Sequence, residues 1–213
     1  MKIIAGHGYS SSKQNLDPLC AFLSSHGFEI YSLDFPGHKL GASGGTLEAA
    51  GDCKDAMDAA VRRAREDGDE PMYLLGHSMG ALTAIVTAGD DAKVAGIVAI
   101  ATGFGRSAAL AGMAKAGVVD FRSAYVEGLP LPALMEELEP LVAAALPKLG
   151  GRPALYVAAE RDMMVTRHSV QELFERAPEP KSFASVDSDH TRAGENSRSA
   201  ILRWLDALHP RRS

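Results

Sequence analysis

The sequence predicts an α/β fold, a three-layer α/β/α sandwich around one mostly parallel sheet of six strands. Three observations point to it. Short apolar runs alternate with longer helical patterns from end to end. Several of those runs are apolar on both faces, as strands covered by helices on both sides are. The chain has 213 residues, enough for one substantial core and few for two. Residues 1–213 therefore read as a single domain.

The first strand is Lys2 to Ala5, which runs into the turn Gly6-His7-Gly8. A helix from Leu16 to Ser25 leads to the second strand, Glu29 to Phe35. The short loop Gly41-Ala42-Ser43-Gly44-Gly45 is too brief to link domains. A long helix then runs from Thr46 to Glu66, with Ala49, Cys53, Ala56, Ala60 and Ala64 near a three-to-four-residue spacing. The third strand, Met72 to Leu75, ends in Gly76-His77-Ser78-Met79-Gly80, and Ala81 to Val86 continues as a helix. Val94 to Ala101 is the fourth strand, Ala154 to Ala159 the fifth and Lys181 to Val186 the sixth. Helices cover Arg167 to Ala177 and Gly194 to Leu208, the latter with the stripe Ile201, Leu202, Leu205 and Leu208. The crossovers are expected to be right-handed.

One stretch breaks the rhythm. Thr102 to Gly151 separates two strands by about 50 residues, far more than a plain crossover needs. It reads as a small helical insertion, 102–151, laid over the C-terminal edge of the sheet. Leu110, Met113, Val118, Phe121, Tyr125, Leu129, Leu131, Leu134, Met135 and Leu138 are its candidates for lining a compact apolar pocket.

Composition excludes several functions. The net charge of -5, from 27 acids and 22 bases, offers no basic field for nucleic acid. Arg62-Arg63-Ala64-Arg65 reads as a solvated helix face, and His209 to Ser213 as a frayed terminus. Cys20 and Cys53 have no metal or redox spacing and read as free thiols in helices. No run of about 18 apolar residues is present, so no membrane span is expected. The start, with a short apolar stretch running directly into a glycine turn, is not expected to be a signal peptide, and a cytoplasmic location is expected. No Cys/His/Asp cluster has metal spacing, and neither a G-x-G-x-x-G nor a Walker sequence occurs. No metal and no cofactor are therefore expected.

The chemistry resides in Gly76-His77-Ser78-Met79-Gly80, a G-x-S-x-G between a buried strand and a helix. A serine on such a sharp turn is placed as a nucleophile. It needs a histidine to take its proton and a carboxylate to orient that histidine. Asp162 follows the fifth strand and His190 follows the sixth. The chain order Ser78, Asp162, His190 is the one expected for this architecture and not for the other two common serine-hydrolase folds. Asp187 and Asp189 are rival acids, but both lie too close to His190 in sequence. His77 reads as a structural residue pointing elsewhere, and His7 as a brace for the loop after the first strand. His38 either approaches the pocket or lies in solvent. His26, His168 and His209 read as surface residues.

With these motifs the chain resembles a small member of the α/β-hydrolase superfamily, in its esterase and lipase-like branch. His7-Gly8-Tyr9-Ser10-Ser11 resembles the family's oxyanion loop. Asp34-Phe35-Pro36-Gly37-His38-Lys39-Leu40-Gly41-Ala42-Ser43 resembles its D-x-x-G-x-G-x-S loop, with Lys39 and Leu40 where the middle glycine is expected. The resemblance implies an oxyanion hole from the backbone N–H groups of Tyr9 and Met79. It also implies a reduced sheet, because the family usually has two further strands before the histidine-glycine loop. The edge so exposed is expected to be short, covered, or available for homo-oligomer formation. The implied activity is hydrolysis of small to medium carboxylic esters through an acyl-enzyme. A thioesterase or small amidase of the same mechanism is the first alternative. A non-catalytic ligand-binding or regulatory protein with the hydrolase fold is the second.

Overall fold

The computed structural model describes residues 1–117 and 121–210. Val118 and Arg211 to Ser213 lie outside the described residues. The strands are β1 (Lys2–Gly6), β2 (Glu29–Leu33), β3 (Met72–His77), β4 (Gly96–Ile100), β5 (Ala154–Ala159) and β6 (Lys181–Val186). The helices are α1 (Asp17–Ser25), α2 (Ala50–Glu66), α3 (Met79–Asp90), α4 (Ser107–Lys115), α5 (Leu131–Ala145), α6 (Arg167–Arg176) and α7 (Ala193–Leu208). The six strands form one sheet in the order β2-β1-β3-β4-β5-β6. Every pairing is parallel.

Side-chain alternation along the strands builds two cores. Ile3 and Ala5 of β1, Tyr73 and Leu75 of β3, and Val98 and Ile100 of β4 meet Leu19 and Leu23 of α1 and Ile201 and Leu205 of α7. Their sequence neighbours Ile4, Leu74, Ile97 and Ala99 belong to the opposite core, with Cys53, Met57 and Val61 of α2, much of α3 and α5, and Leu173 of α6. This is the period-2 pattern of a sheet buried on both faces. Among the described residues, no helix is long and apolar enough to cross a membrane.

Among the boundaries that differ from the sequence expectation, two have a local cause. β2 ends at Leu33 rather than Phe35. Beyond it the chain turns away, because the Asp34 carboxylate accepts the N–H groups of Lys13 (2.8 Å) and Ala42 (3.0 Å). The Phe35 N–H meanwhile donates to His7 Nε2 at 3.0 Å. α2 begins at Ala50 rather than Thr46. Leu47 instead bridges to Gly128, donating to the Glu127 carbonyl at 2.8 Å. The Asp52 carboxylate then caps the helix by accepting the N–H groups of Glu48 and Ala49.

β1 has a neighbour on each side that follows it in sequence, so the connections leave the sheet in opposite directions around it. In open α/β sheets the crevice beyond the strand ends at such a switch point is where ligands bind. The loop after β1 and the turn after β3 both open into it. The turn depends on bare backbone. A Cβ on Gly76 would drive into the Gly80 carbonyl group, and one on Gly80 would strike the Gly6 and His7 carbonyls. Neither contact involves a flexible side chain that could yield. Gly80→Ala is therefore expected to cost about 3 kcal/mol or more in unfolding free energy by urea denaturation. An alanine at Gly112, where nothing lies within 4 Å of the added carbon, provides the contrast and stays within about 1 kcal/mol of wild type.

Candidate active site

Ser78 sits at φ 53° and ψ -115° between β3 and α3. This is a strained conformation for a residue with a Cβ. Its N–H donates to the Ile100 carbonyl of β4 at 2.8 Å, which pins the turn to the sheet. Met79 is the first residue of α3. Its N–H belongs to the first helical turn, where the helix itself supplies no acceptor and the dipole favours negative charge.

Asp162 and His190 come together from the loops after β5 and β6. The His190 Nδ1–H donates to Asp162 Oδ2 at 2.7 Å, and the Asp162 side chain is wholly buried. Its other oxygen accepts the N–H groups of Met164 (2.8 Å) and Val165 (2.7 Å). Burial alone pushes the carboxyl pKa up. The His190 hydrogen bond and the two backbone donors outweigh it and hold Asp162 below its ordinary value. The two loops are tied by the Arg161 N–H, which donates to the Ser188 carbonyl at 2.9 Å. Asp187 pairs instead with Arg161 at 3.0 Å, and Asp189 accepts the Arg192 N–H. Neither rival acid bonds to the His190 ring.

Ser78, Met79, His190, Gly8 and Tyr9 line one cavity of about 250 Å³ at the switch point. No hydrogen bond joins Ser78 Oγ to the His190 ring; such contacts are often long until substrate is bound. The loop after β1 is held from below by His7, which is fully buried. Its Nδ1–H donates to the Gly8 carbonyl at 2.8 Å while Nε2 accepts from Phe35. From above, Tyr9 Oη donates to the Leu129 carbonyl at 2.9 Å.

His77 has a part in the site that sequence reasoning missed. Its Nε2–H donates to the His190 carbonyl at 2.8 Å, and the two rings lie 4.7 Å apart. It lines the same cavity rather than pointing elsewhere. His38 neither lines the cavity nor meets solvent: it is buried against His7, Tyr9 and Phe35. Of the apolar candidates, Leu131 and Met135 line the cavity. Leu110 and Met113 line a neighbouring cleft, Leu134 and Leu138 are core, and Phe121 and Tyr125 are exposed. Two arginines, Arg106 and Arg122, also line the cavity, and among the described residues no aspartate or glutamate does. The thiols stand apart. Burial pushes Cys53 up to about 12 and Cys20 up to about 11, so both stay protonated at neutral pH.

The model of the serine aminopeptidase S33 family of hydrolases matches residues 1–140, including the serine turn. The chain belongs to that family. It is thereby placed in the α/β-hydrolase superfamily, and solved structures share the S33 chain's fold throughout. A metagenome-derived lipolytic enzyme superposes with a TM-score of 0.74 at 22% identity, over 97% of this chain and 92% of that one. The monoacylglycerol lipase of Paleococcus ferrophilus gives 0.74 at 18% identity, over 97% and 94%. An esterase of Pyrococcus furiosus gives 0.71 at 22% identity, over 97% and 82%. Comparison of the S33 chain with curated proteins yields no match.

The buried histidines of this S33 hydrolase make its stability depend on pH. Burial drives His7 down to about 4 and His77 down to about 3. For His7 the His38 ring lowers the value further, while the Gly8 carbonyl and Asp34 oppose it. For His77 the His190 ring lowers it, while the His190 carbonyl and Asp162 oppose it. Below the unfolded value of 6.5 the unfolded chain takes up protons that the native chain refuses. Stability therefore falls as pH drops from about 6.5 towards 4. His7 alone accounts for roughly 3 kcal/mol of that loss. Urea midpoints measured from neutral to acid pH are expected to fall more gently for His7→Gln than for wild type.

Proposed function

We propose that the protein is a serine carboxylesterase acting on small to medium carboxylic esters, with Ser78, His190 and Asp162 as its catalytic triad. The observation that carries this reading is the buried His190–Asp162 pair at 2.7 Å, which shares a cavity with a serine held on a strained turn. In the proposed reaction His190 Nε2 takes the Ser78 proton as Oγ attacks the ester carbonyl carbon. The N–H groups of Met79 and Tyr9 stabilise the oxyanion, each contributing about 3 kcal/mol. The tetrahedral species collapses, His190 hands its proton to the leaving alcohol, and an acyl-Ser78 ester remains. Water repeats the sequence, losing a proton to His190 and releasing the acid. Asp162 stays ionised throughout and stabilises the imidazolium.

The same mechanism would serve a thioester or small amide. The family name points to aminopeptidases, yet among the described residues no aspartate or glutamate lines the cavity to receive a protonated amine. That favours esters over peptides with a free amino terminus. We read residues 1–213 as one domain whose 102–151 segment forms the cover of the site, in a cytoplasmic protein. β2 is the sheet edge on which a homo-oligomer could build.

A fluorophosphonate probe is expected to label wild type at Ser78 and to leave Ser78→Ala unlabelled, as read by peptide mass spectrometry. Turnover of a short p-nitrophenyl ester is expected to vanish in Ser78→Ala and to fall about 10⁴-fold in Asp162→Asn, with both variants folded by circular dichroism. Equal rates in mutant and wild type would overturn the triad. An unlabelled, folded wild type would favour a non-catalytic binder with this fold.

A further inference from the structure

Each loop around the cavity has its own anchor. At the start of α4 the buried Glu139 carboxylate accepts the Arg106 and Ser107 N–H groups. Under the loop after β1, His7 accepts from Phe35 and donates to Gly8. His77, the last residue of β3, differs because its one buried ring touches two loops at once. On one side its Nε2–H holds the His190 carbonyl at 2.8 Å. That oxygen also receives a longer bond of 3.4 Å from Ala193 at the start of α7. On the other side the ring lies against Gly8. A Cβ added at Gly8 would come within 3.0 Å of His77 Nδ1 and within 3.3 Å of the Ser78 Cβ.

A neutral imidazole carries one N–H. The His190 carbonyl claims it at Nε2, so Nδ1 is left as a bare acceptor. It is buried and has no hydrogen-bond partner among the described residues. An unanswered buried acceptor costs free energy. Protonation does not relieve that cost near neutral pH, because burial pushes the His77 pKa down to about 3. A side chain kept only to fill this space would be cheaper as an apolar one of similar volume. The polarity of the ring is therefore explained by its one bond, to the main chain of the proposed base. The other end of His190 is held by Asp162 at Nδ1. With ring and main chain both fixed, the reach of Nε2 is fixed too. We propose that His77 is a positioning residue: by bonding the His190 carbonyl while its ring packs against Gly8, it sets the spacing between the base and the loop that carries the Tyr9 N–H. The proposal rests on the triad reading for its chemistry, and on the His77 contacts alone for its geometry.

The test uses His77→Leu, which keeps the bulk without the donor, and His77→Gln, whose amide nitrogen can reach the same carbonyl. With p-nitrophenyl butyrate, His77→Leu is expected to lose about 10- to 100-fold in kcat while KM changes by less than about threefold. His77→Gln is expected to recover most of that loss. Val61→Ala, a truncation in the buried face of α2, controls for lost stability and is expected to keep the wild-type kcat. The downfield proton resonance of the His190 Nδ1–H bond to Asp162 is the second readout. It is expected to stay in place in His77→Gln and to shift or broaden in His77→Leu. Should the leucine variant not fold, His77→Asn, too short to reach the carbonyl, carries the same comparison. Hydrolysis by wild type with an equal kcat in His77→Leu and an unmoved resonance would overturn the positioning role and keep the esterase. A loss that His77→Gln does not recover would mark a merely structural role and also overturn it. No hydrolysis by wild type, with a resonance that His77→Leu moves and His77→Gln restores, would overturn the esterase reading and keep the positioning role.

Discussion

Everything at this site depends on one close approach of backbone to backbone. The start of α3 is pressed into the crevice between β1 and β3 so tightly that neither Gly76 nor Gly80 has room for a Cβ. That contact forces the residue between helix and strand into positive φ, and Ser78 is that residue. It also places the first N–H groups of α3 beside the loop that leaves β1. The nucleophile candidate and one proposed oxyanion donor are therefore positioned by main chain, which loses little entropy when the site is used. Side chains enter only to hold the loops: His7 under Gly8, His77 against His190.

The electrostatics follow the same economy. Asp162 is buried, but three donors address its two oxygens, so it keeps its charge. His77 lies against His190, yet burial pushes its pKa down to about 3, so it stays neutral at neutral pH. A second cation there would compete with His190 for the influence of Asp162. The Nε2–H of a neutral His77 can still hold the His190 carbonyl, so it orients the loop without altering the charge of the site.

The parts legible in the sequence are those whose meaning is local. The six strands could be read because their apolar runs alternate with helices, and Ser78 because two glycines flank it within five residues. Asp162 and His190 were legible because each follows a strand directly. The illegible parts were set by distant contacts. β2 stops early because Asp34 is claimed by Lys13 and Ala42. α2 starts late because Leu47 meets a segment 81 residues on. His77 acts on a carbonyl 113 residues away. The pocket read as wholly apolar because the insertion is rich in alanine and leucine. Its two arginines reach the cavity only through the Glu139 anchor and the turn at Phe121–Tyr125.

The 102–151 segment and the loop after β1 are not independent. Tyr9 contributes a backbone N–H to the proposed oxyanion hole, and its hydroxyl donates to Leu129 and reaches Ser123 Oγ at 3.3 Å. Ser123 follows Arg122 directly, in the same turn that lines the cavity. A shift of this turn would move Arg122 and tug the Tyr9 loop together. The cavity wall and the proposed oxyanion donor thus share one mechanical link. The Tyr9 tie holds the inner wall of the cavity in register with Ser78, while the exposed Met113 lines a separate outer cleft.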